Sequence, residues 1–342
     1  MKISSKLKIA VFMGGRSSEH EVSLKSGEVI CSSINTEKYS VVPVIINKDG
    51  TWNIQPFGES LSVGQAIGYI KDEDISVAFL ALHGKYGEDG AIQGLLEMLD
   101  IAYTGSNVLS SSLAMHKVKT LEMYEYHGLK TPKRIVFSRW DSKLIREEQI
   151  NKTGKSIGFP CIVKPSQLGS SVATYKVDKV ESLRKAITDV CRYDVDGLIE
   201  EYILGSEVTC AVLGGMPGES PKALPPTLIK PKKSIFFDYK AKYTSGASEE
   251  ITPAPLPKNL IRRIQNAAVK AHQILGCGSL SRTDMIIRDN TLYLLETNTI
   301  PGMTQTSLFP QAANAAGISL TQLCNYLILH ALRYYEMKQS KI

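Results

Sequence analysis

Two stretches near the carboxyl-terminal third hold the residue types with the most chemical potential: Ser281-Arg282-Thr283-Asp284-Met285 and Leu294-Leu295-Glu296-Thr297-Asn298. Side chains alternate faces along a strand, so Arg282 and Asp284 share one face of the first stretch and Glu296 and Asn298 one face of the second. If Asp289-Asn290-Thr291 forms a three-residue turn, Asp284 lies opposite Glu296 and Arg282 opposite Asn298; a two-residue turn breaks that alignment. Two carboxylates and a carboxamide oxygen make the hard-oxygen set that Mg²⁺ accepts when it also holds substrate phosphates. An adjacent arginine can hold a carboxylate or a developing oxyanion. On residue types alone, the same four residues could equally form a solvated face with a surface ion pair.

Other candidates are scattered along the chain. Gln167-Leu168-Gly169-Ser170-Ser171 follows Lys164-Pro165, and glycine and hydroxyl residues between strands can wrap a phosphate or simply turn the chain. Glu200, Glu201 and Glu207 could accept hydrogen bonds from a nucleoside or lie exposed. His83-Gly84 is open between a catalytic and a structural histidine. Gly154-Lys155-Ser156 resembles a P-loop ending, but Gln149 stands where its first glycine belongs and no strand precedes it. Gly14-Gly15 lacks the dinucleotide spacing. Tyr124, Tyr126 and His127 read as packing near a helix end.

The elements that must position these groups fall into two textures. Residues 9–13, 41–46 and 77–82 read as buried strands, alternating with a helix opened by the capping-box spacing Ser18-x-x-Glu21 and another at 92–99. That alternation predicts a parallel sheet covered by helices, with Glu19 and His83 in one crevice at its carboxyl ends. From about residue 106 an α+β pattern follows. A helix runs to about 126, with strands at 135–137, 161–164 and 173–177, a helix at 179–191, and strands at 198–203 and 208–213. Residues 215–256, rich in Pro, Gly, Lys and Ser, read as a functional flap. A helix at 259–275, the hairpin at 280–296 and helices at 308–316 and 319–334 finish the chain.

Composition mostly excludes. The 342 residues predict two or three domains, and 43% apolar with 22% charged residues is globular usage. No apolar run approaches the roughly 18–20 residues of a membrane span. The start is too short in apolar residues for a signal peptide and reads as the first strand. Six cysteines without a CxxC pair disfavour a zinc site and fit reduced thiols in the cytosol. The +6 net charge suits an anionic small molecule as well as nucleic acid.

Taken in order, the motifs resemble the D-alanine–D-alanine ligase family. Gly14-Gly15-Arg16-Ser17-Ser18-Glu19-His20-Glu21-Val22-Ser23 with Ser26-Gly27 looks like its opening signature, and Ala81-Leu82-His83-Gly84, Gly87-Glu88-Asp89-Gly90 and Tyr103-Thr104-Gly105-Ser106 continue it. So do Lys117, Val163-Lys164-Pro165-Ser166, Gly169-Ser170-Ser171, Asp238-Tyr239-Lys240-Ala241-Lys242-Tyr243, Leu295-Glu296-Thr297-Asn298 and Pro301-Gly302-Met303-Thr304. The resemblance implies an N-terminal α/β domain (1–105) followed by an α+β ATP-grasp fold in two subdomains (106–203 and 204–342). It implies ATP, with Lys117 and Lys164 on the phosphates under the Ser170-Ser171 loop, Lys242 nearby, Glu200, Glu201 and Ile203 at the adenine and Glu207 at the ribose. It implies two Mg²⁺ ions, with Mn²⁺ able to stand in, on Asp284, Glu296 and Asn298. Two D-alanines would be held by Glu19, His83, Arg282, Gly302, Ser307 and Leu308, with Tyr243 reaching Ser170 and Glu19 to shut the site. A homodimer and a cytoplasmic place in peptidoglycan precursor synthesis follow from the same resemblance; nucleic-acid and membrane partners do not.

Some positions depart from the family pattern. Ser279-Leu280-Ser281 and Ile300 replace stretches that differ in many relatives and would reshape the amino-acid pocket; Gln167-Leu168 replace a more polar pair. The nearest rival is a D-alanine–D-lactate or D-alanine–D-serine ligase, which Lys242-Tyr243 disfavours against the lactate form. A non-catalytic nucleotide-binding module would show a decayed metal set, and Asp284, Glu296 and Asn298 are intact. The basic run 230–233 lacks the interleaved aromatics of a nucleic-acid surface. On this reading Lys117, Lys164, Lys242 and Arg282 draw the positive surplus to an anionic-substrate site.

Overall fold

A computed structural model describes residues 6–55, 58–231 and 248–340. The first strands are β1 (Leu7–Gly14), β2 (Tyr39–Ile46), β3 (Trp52–Ile54), β4 (Ser60–Leu61), β5 (Val77–Leu80) and β6 (Ala102–Tyr103). They form one sheet in the order β4-β3-β2-β1-β5-β6. The centre is parallel, as expected, while β3 and β4 add an antiparallel edge that the apolar pattern did not signal. Both faces of β1 are buried, Ile9, Val11 and Met13 on one side and Ala10 and Phe12 on the other, so it reads as an unbroken apolar run. Strand order reverses between β1 and β5, which opens a crevice at their carboxyl ends.

Helix α1 (His20–Ser33) leads out of that crevice, but the capping box does not form. The N-cap is Glu19, not Ser18, and its side chain makes no cap bond. The Glu19 N–H donates instead to the Ser17 hydroxyl, 3.1 Å away, and Ser17 in turn donates to the His83 carbonyl at 2.7 Å. This frees the Glu19 carboxylate for the crevice. Helices α2 (Val63–Asp72) and α3 (Ala91–Met98) cover the sheet elsewhere.

The single helix expected from 106 to 126 is two, α4 (Val108–Met115) and α5 (Lys117–Tyr126). His116 is extended between them (φ −89°, ψ 92°). Its ring meets the Ser166 hydroxyl at 2.9 Å, and the Lys117 N–H donates to the Ser166 carbonyl, so the break aims Lys117 at the next sheet. That sheet has the antiparallel order β7-β10-β8-β9, from β7 (Arg134–Ser138), β8 (Cys161–Pro165), β9 (Tyr175–Val177) and β10 (Asp196–Glu201). Helices α6 (Lys143–Ser156), unforeseen in the sequence, and α7 (Val180–Tyr193) pack on it. Gly154-Lys155-Ser156 closes α6, which disposes of the P-loop.

A third sheet runs β14-β13-β11-β15-β16, with β12 beside β11. Its strands are β11 (Ser206–Leu213), β12 (Lys222–Ala223), β13 (Thr227–Pro231), β14 (Ser248–Ile251), β15 (Leu280–Arg288) and β16 (Thr291–Asn298). The outer parts of the expected flap are therefore strands of this sheet. Its middle, with Lys232, Lys233, Lys242 and Tyr243, lies outside the described residues. Helix α8 (Lys258–Ile274) backs the sheet, and α9 (Leu308–Ala315) and α10 (Leu320–Gln339) follow. α10 returns to the first sheet: Tyr39 donates to Asn325 at 2.9 Å and Lys338 pairs with Glu97 at 3.1 Å. Among the described residues no single helix is long and apolar enough to cross a membrane.

Close packing of α1 on β1 depends on Gly27, where a Cβ would lie 2.5 Å from Met13 Cβ and 2.7 Å from its sulfur. Gly27→Val should push the helix off the strand and lower stability by about 1–3 kcal/mol in chemical denaturation. A denaturation midpoint equal to that of the parent chain would show that this contact does not fix the helix.

Candidate active site

The β15–β16 hairpin turns on two residues, Asp289 and Asn290, both left-handed (φ 49° and 57°), not on three. A two-residue turn continued regularly would set Leu295 opposite Asp284 and turn Glu296 to the core. A bulge intervenes: Met285 pairs with Leu294 and Asp284 with Glu296, leaving Leu295 as the extra residue. Arg282 then faces Asn298, and all four side chains share a face as the alternation required. Behind them the Thr283 and Thr297 hydroxyls meet at 2.7 Å, and the buried Tyr124 hydroxyl meets Thr297 at 2.6 Å. Tyr124, read from sequence as packing alone, thus also braces the strands that carry the carboxylates.

Arg282 holds Asp284 through two bonds of 2.9 Å, and the Thr209 hydroxyl donates to the same carboxylate at 2.6 Å. Lys117 lies 3.5 Å from Glu296 and donates to the Leu168 carbonyl at 2.7 Å. Lys164 pairs with Glu200 at 2.7 Å. Lys117, Lys164, Glu200, Asp284 and Glu296 line a cavity of about 470 Å³ between the second and third sheets, with Ser171, Ile203 and Glu207 also on its walls. Glu200 is buried, and its second oxygen, Oε1, has no hydrogen-bond partner among the described residues. A buried acceptor of that kind is costly unless a ligand donates to it. Glu201 differs: its carboxylate is taken by Arg288 at 2.8 Å. Of the cations expected here, Lys117, Lys164 and Arg282 each face a carboxylate of the protein, Lys242 lies outside the described residues, and Lys230 also lines the cavity.

A second group of candidates meets where the first sheet's crevice abuts this cavity. The Ser170 hydroxyl donates to Glu19, and Ser170 and Ser171 both hold left-handed backbone. Glu19 is tightly cradled: a Cβ on Gly169 would come 2.7 Å, and one on Gly84 2.8 Å, from its Oε2. His83 is buried, with Nδ1 3.1 Å from the Ile300 carbonyl and Nε2 3.1 Å from the Ser26 hydroxyl. The carbonyl can only accept, so Nδ1 carries the proton and Ser26 donates to Nε2. Burial holds His83 below its ordinary value, against the Glu19 carboxylate. Gly302 lies against Ser307, where a Cβ would meet the hydroxyl at 2.9 Å, and Leu308 begins the helix that Ser307 precedes.

Sequence reasoning gave Glu88 no role. Its carboxylate accepts from the Gly84 N–H at 2.7 Å and from the Ile300 N–H. Burial, then the neighbouring Glu19, push the Glu88 carboxyl up to about 8 from an ordinary 4.5, against those two bonds. The only signal in the sequence was its place in the Gly87-Glu88-Asp89-Gly90 motif. Between those two values the folded protein keeps a proton that the unfolded chain has released, so stability falls as pH rises through that window. Glu88→Gln removes this slope, so its melting temperature should gain on that of the parent chain between about pH 5 and about pH 9. Parallel melting curves across that range would overturn the assignment.

Residues 8–106 match the family described as D-ala D-ala ligase N-terminus, and residues 123–329 the D-ala D-ala ligase C-terminus. A D-alanine--D-alanine ligase of Desulforamulus reducens is 43% identical over 95% of this chain and 99% of its own length. The structure of D-alanine--D-alanine ligase from Bacillus anthracis complexed with ATP is 33% identical, with a TM-score of 0.78 over 97% of this chain and 99% of that one. The VanG D-Ala:D-Ser ligase from Enterococcus faecalis is 30% identical, with a TM-score of 0.81 over 95% and 99%. The fold is the ATP-grasp fold and the class is that of the ATP-dependent ligases. Within it, the chain belongs to the D-alanine–D-alanine ligase family.

Proposed function

We propose that the chain joins two D-alanines at the expense of ATP, giving D-alanyl-D-alanine, ADP and phosphate for peptidoglycan precursors. The observation that carries this is the common face of Arg282, Asp284, Glu296 and Asn298, of which Asp284 and Glu296 line a cavity that also holds Lys117 and Lys164. A carboxylate oxygen is a poor leaving group, so the first D-alanine is activated as an acyl phosphate. That step needs positioning and charge neutralisation more than covalent chemistry from the protein.

In this reading Lys117 and Lys164 meet the phosphates beneath Ser170 and Ser171. The unpartnered Glu200 oxygen accepts from the adenine amino group, Glu201 and Ile203 lie along the base, and Glu207 takes the ribose. Asp284, Glu296 and Asn298 fit a divalent cation by chemistry: they supply few hard oxygens and leave other positions to phosphate and water. Two Mg²⁺ ions, or Mn²⁺, would neutralise charge on the triphosphate that the paired lysines and arginine do not. Glu19, beside His83, receives the first ammonium group. Arg282, with Gly302, Ser307 and Leu308, takes the substrate carboxylates and the oxyanion formed when the second amine attacks. Lys242 and Tyr243 complete the closure by family analogy. The domain division at 105 and 203, the homodimer and the cytoplasmic location are part of the same proposal.

Phosphate release should require ATP, Mg²⁺ and D-alanine, with D-Ala-D-Ala found by mass spectrometry and little turnover with L-alanine. Equal turnover with L-alanine, or preferred capture of D-serine or D-lactate at neutral pH, would sink the substrate assignment. Glu296→Gln should abolish turnover, a loss of at least about a hundredfold, while circular dichroism stays unchanged. Near-normal rates would remove Glu296 from the metal set.

A further inference from the structure

A smaller cavity of about 210 Å³ opens at the carboxyl ends of β1, β2 and β5 and is bounded by α2 and α3. Its floor is apolar and buried: Ile46, Trp52, Leu82 and Ile92. Two cations stand at its mouth. The Arg16 guanidinium lies 5.5 Å from the centre of the Tyr86 ring, and the Lys85 ammonium 5.2 Å from the same ring. Arg16 is also held from below by Gly50, where a Cβ would come 3.4 Å from its Cδ and 3.7 Å from its Cζ. Among the described residues neither cation forms a salt bridge of 4.0 Å or less. The Thr51 N–H at 2.9 Å and hydroxyl at 2.7 Å hold the nearby Asp49 carboxyl below its ordinary value, with Arg16 only a minor contributor.

An apolar floor beneath two positioned cations selects an organic anion with an apolar body. D-alanine is a poor fit, because its methyl group leaves the floor uncovered and its ammonium would face Arg16 and Lys85. We propose that this cavity is a binding site for a small aryl or branched-chain carboxylate, its apolar part on Trp52 and its carboxylate between Arg16 and Lys85. Such a ligand would rest against Gly15 and His83, whose loops also bound the Glu19 crevice. The cavity shares His83 with the proposed D-alanine crevice, and its test does not depend on turnover.

Trp52 and Trp140 are the chain's two tryptophans, and Trp140 is exposed, so Trp140→Phe leaves Trp52 as the sole indole reporter. Titrating full-length Trp140→Phe protein with phenylacetate should give a saturable fluorescence change. Arg16→Met in that background should weaken binding by about tenfold or more, as should replacing phenylacetate with uncharged phenylacetamide. Ala91→Phe, at the cavity wall, should abolish the change with its circular dichroism spectrum retained. A non-saturating response, or one indifferent to Arg16→Met and Ala91→Phe, would overturn the proposal. A Trp52 change that follows protein concentration without phenylacetate would assign the cavity to a second copy of the chain and overturn it equally.

Discussion

Charged groups that build an acyl phosphate must act where water is excluded, and buried charges persist only when they are matched. The large cavity obeys that constraint pair by pair: Lys164 with Glu200, Lys117 with Glu296, Arg282 with Asp284. Each pair joins residues that the fold must bring together to within 4 Å, two of them from different strands or helices. The walls of that cavity carry five carboxylates, Glu200, Glu201, Glu207, Asp284 and Glu296, against three lysines, Lys117, Lys164 and Lys230, so an entering triphosphate would add uncompensated negative charge. In the function proposed above, divalent cations at Asp284, Glu296 and Asn298 would resolve that imbalance.

The same economy governs the amino-acid crevice. Glu19 sits at a helix start that its side chain does not cap, and the Ser17 hydroxyl serves the backbone there instead. Two glycines, 84 and 169, make room for its carboxylate from opposite sides. The loop that reaches it holds Ser170, Ser171 and Ala173 in left-handed backbone, a conformation costing about 1–3 kcal/mol for each non-glycine residue. Strain of this kind is sustained by what the loop contacts, here Glu19 through Ser170 and Lys117 through the Leu168 carbonyl. The strained loop therefore links the crevice of the first sheet to the cavity of the other two.

How much of this was legible in the sequence depended on whether the information was local. Apolar runs marked β1 and β5 because both faces of those strands are buried, and β2 although much of it is only half-buried. The common face of Asp284 and Glu296 followed from alternation, yet the route to it did not. A turn of two residues and a bulge at Leu295 give the same offset as a turn of three, and residue types alone do not separate them. The helix break at His116 and the part played by Glu88 depend on partners far along the chain, Ser166 and Ile300. Spacing within a segment cannot reveal such partners. Helix α6 was missed for a different reason: it has few buried residues, Ile150 and Thr153 among them, and so little apolar period to read.

Distant partners also decide what the departures from the family pattern do. Ile300 offers the crevice its backbone: its carbonyl receives His83 and its N–H goes to Glu88. Its side chain is buried in the core cluster of the first sheet that also holds Phe12 and Leu80. Ser279 accepts from the Gly105 N–H at 2.9 Å, across from the first sheet, and Ser281 meets His272 of the helix backing the third sheet at 2.8 Å. Leu280 joins the core shared with α10. Each of these positions is thus packed or hydrogen-bonded within the protein. In the function proposed above, discrimination between amino acids would fall to Glu19, His83 and Arg282 and to the cradle that fixes Glu19.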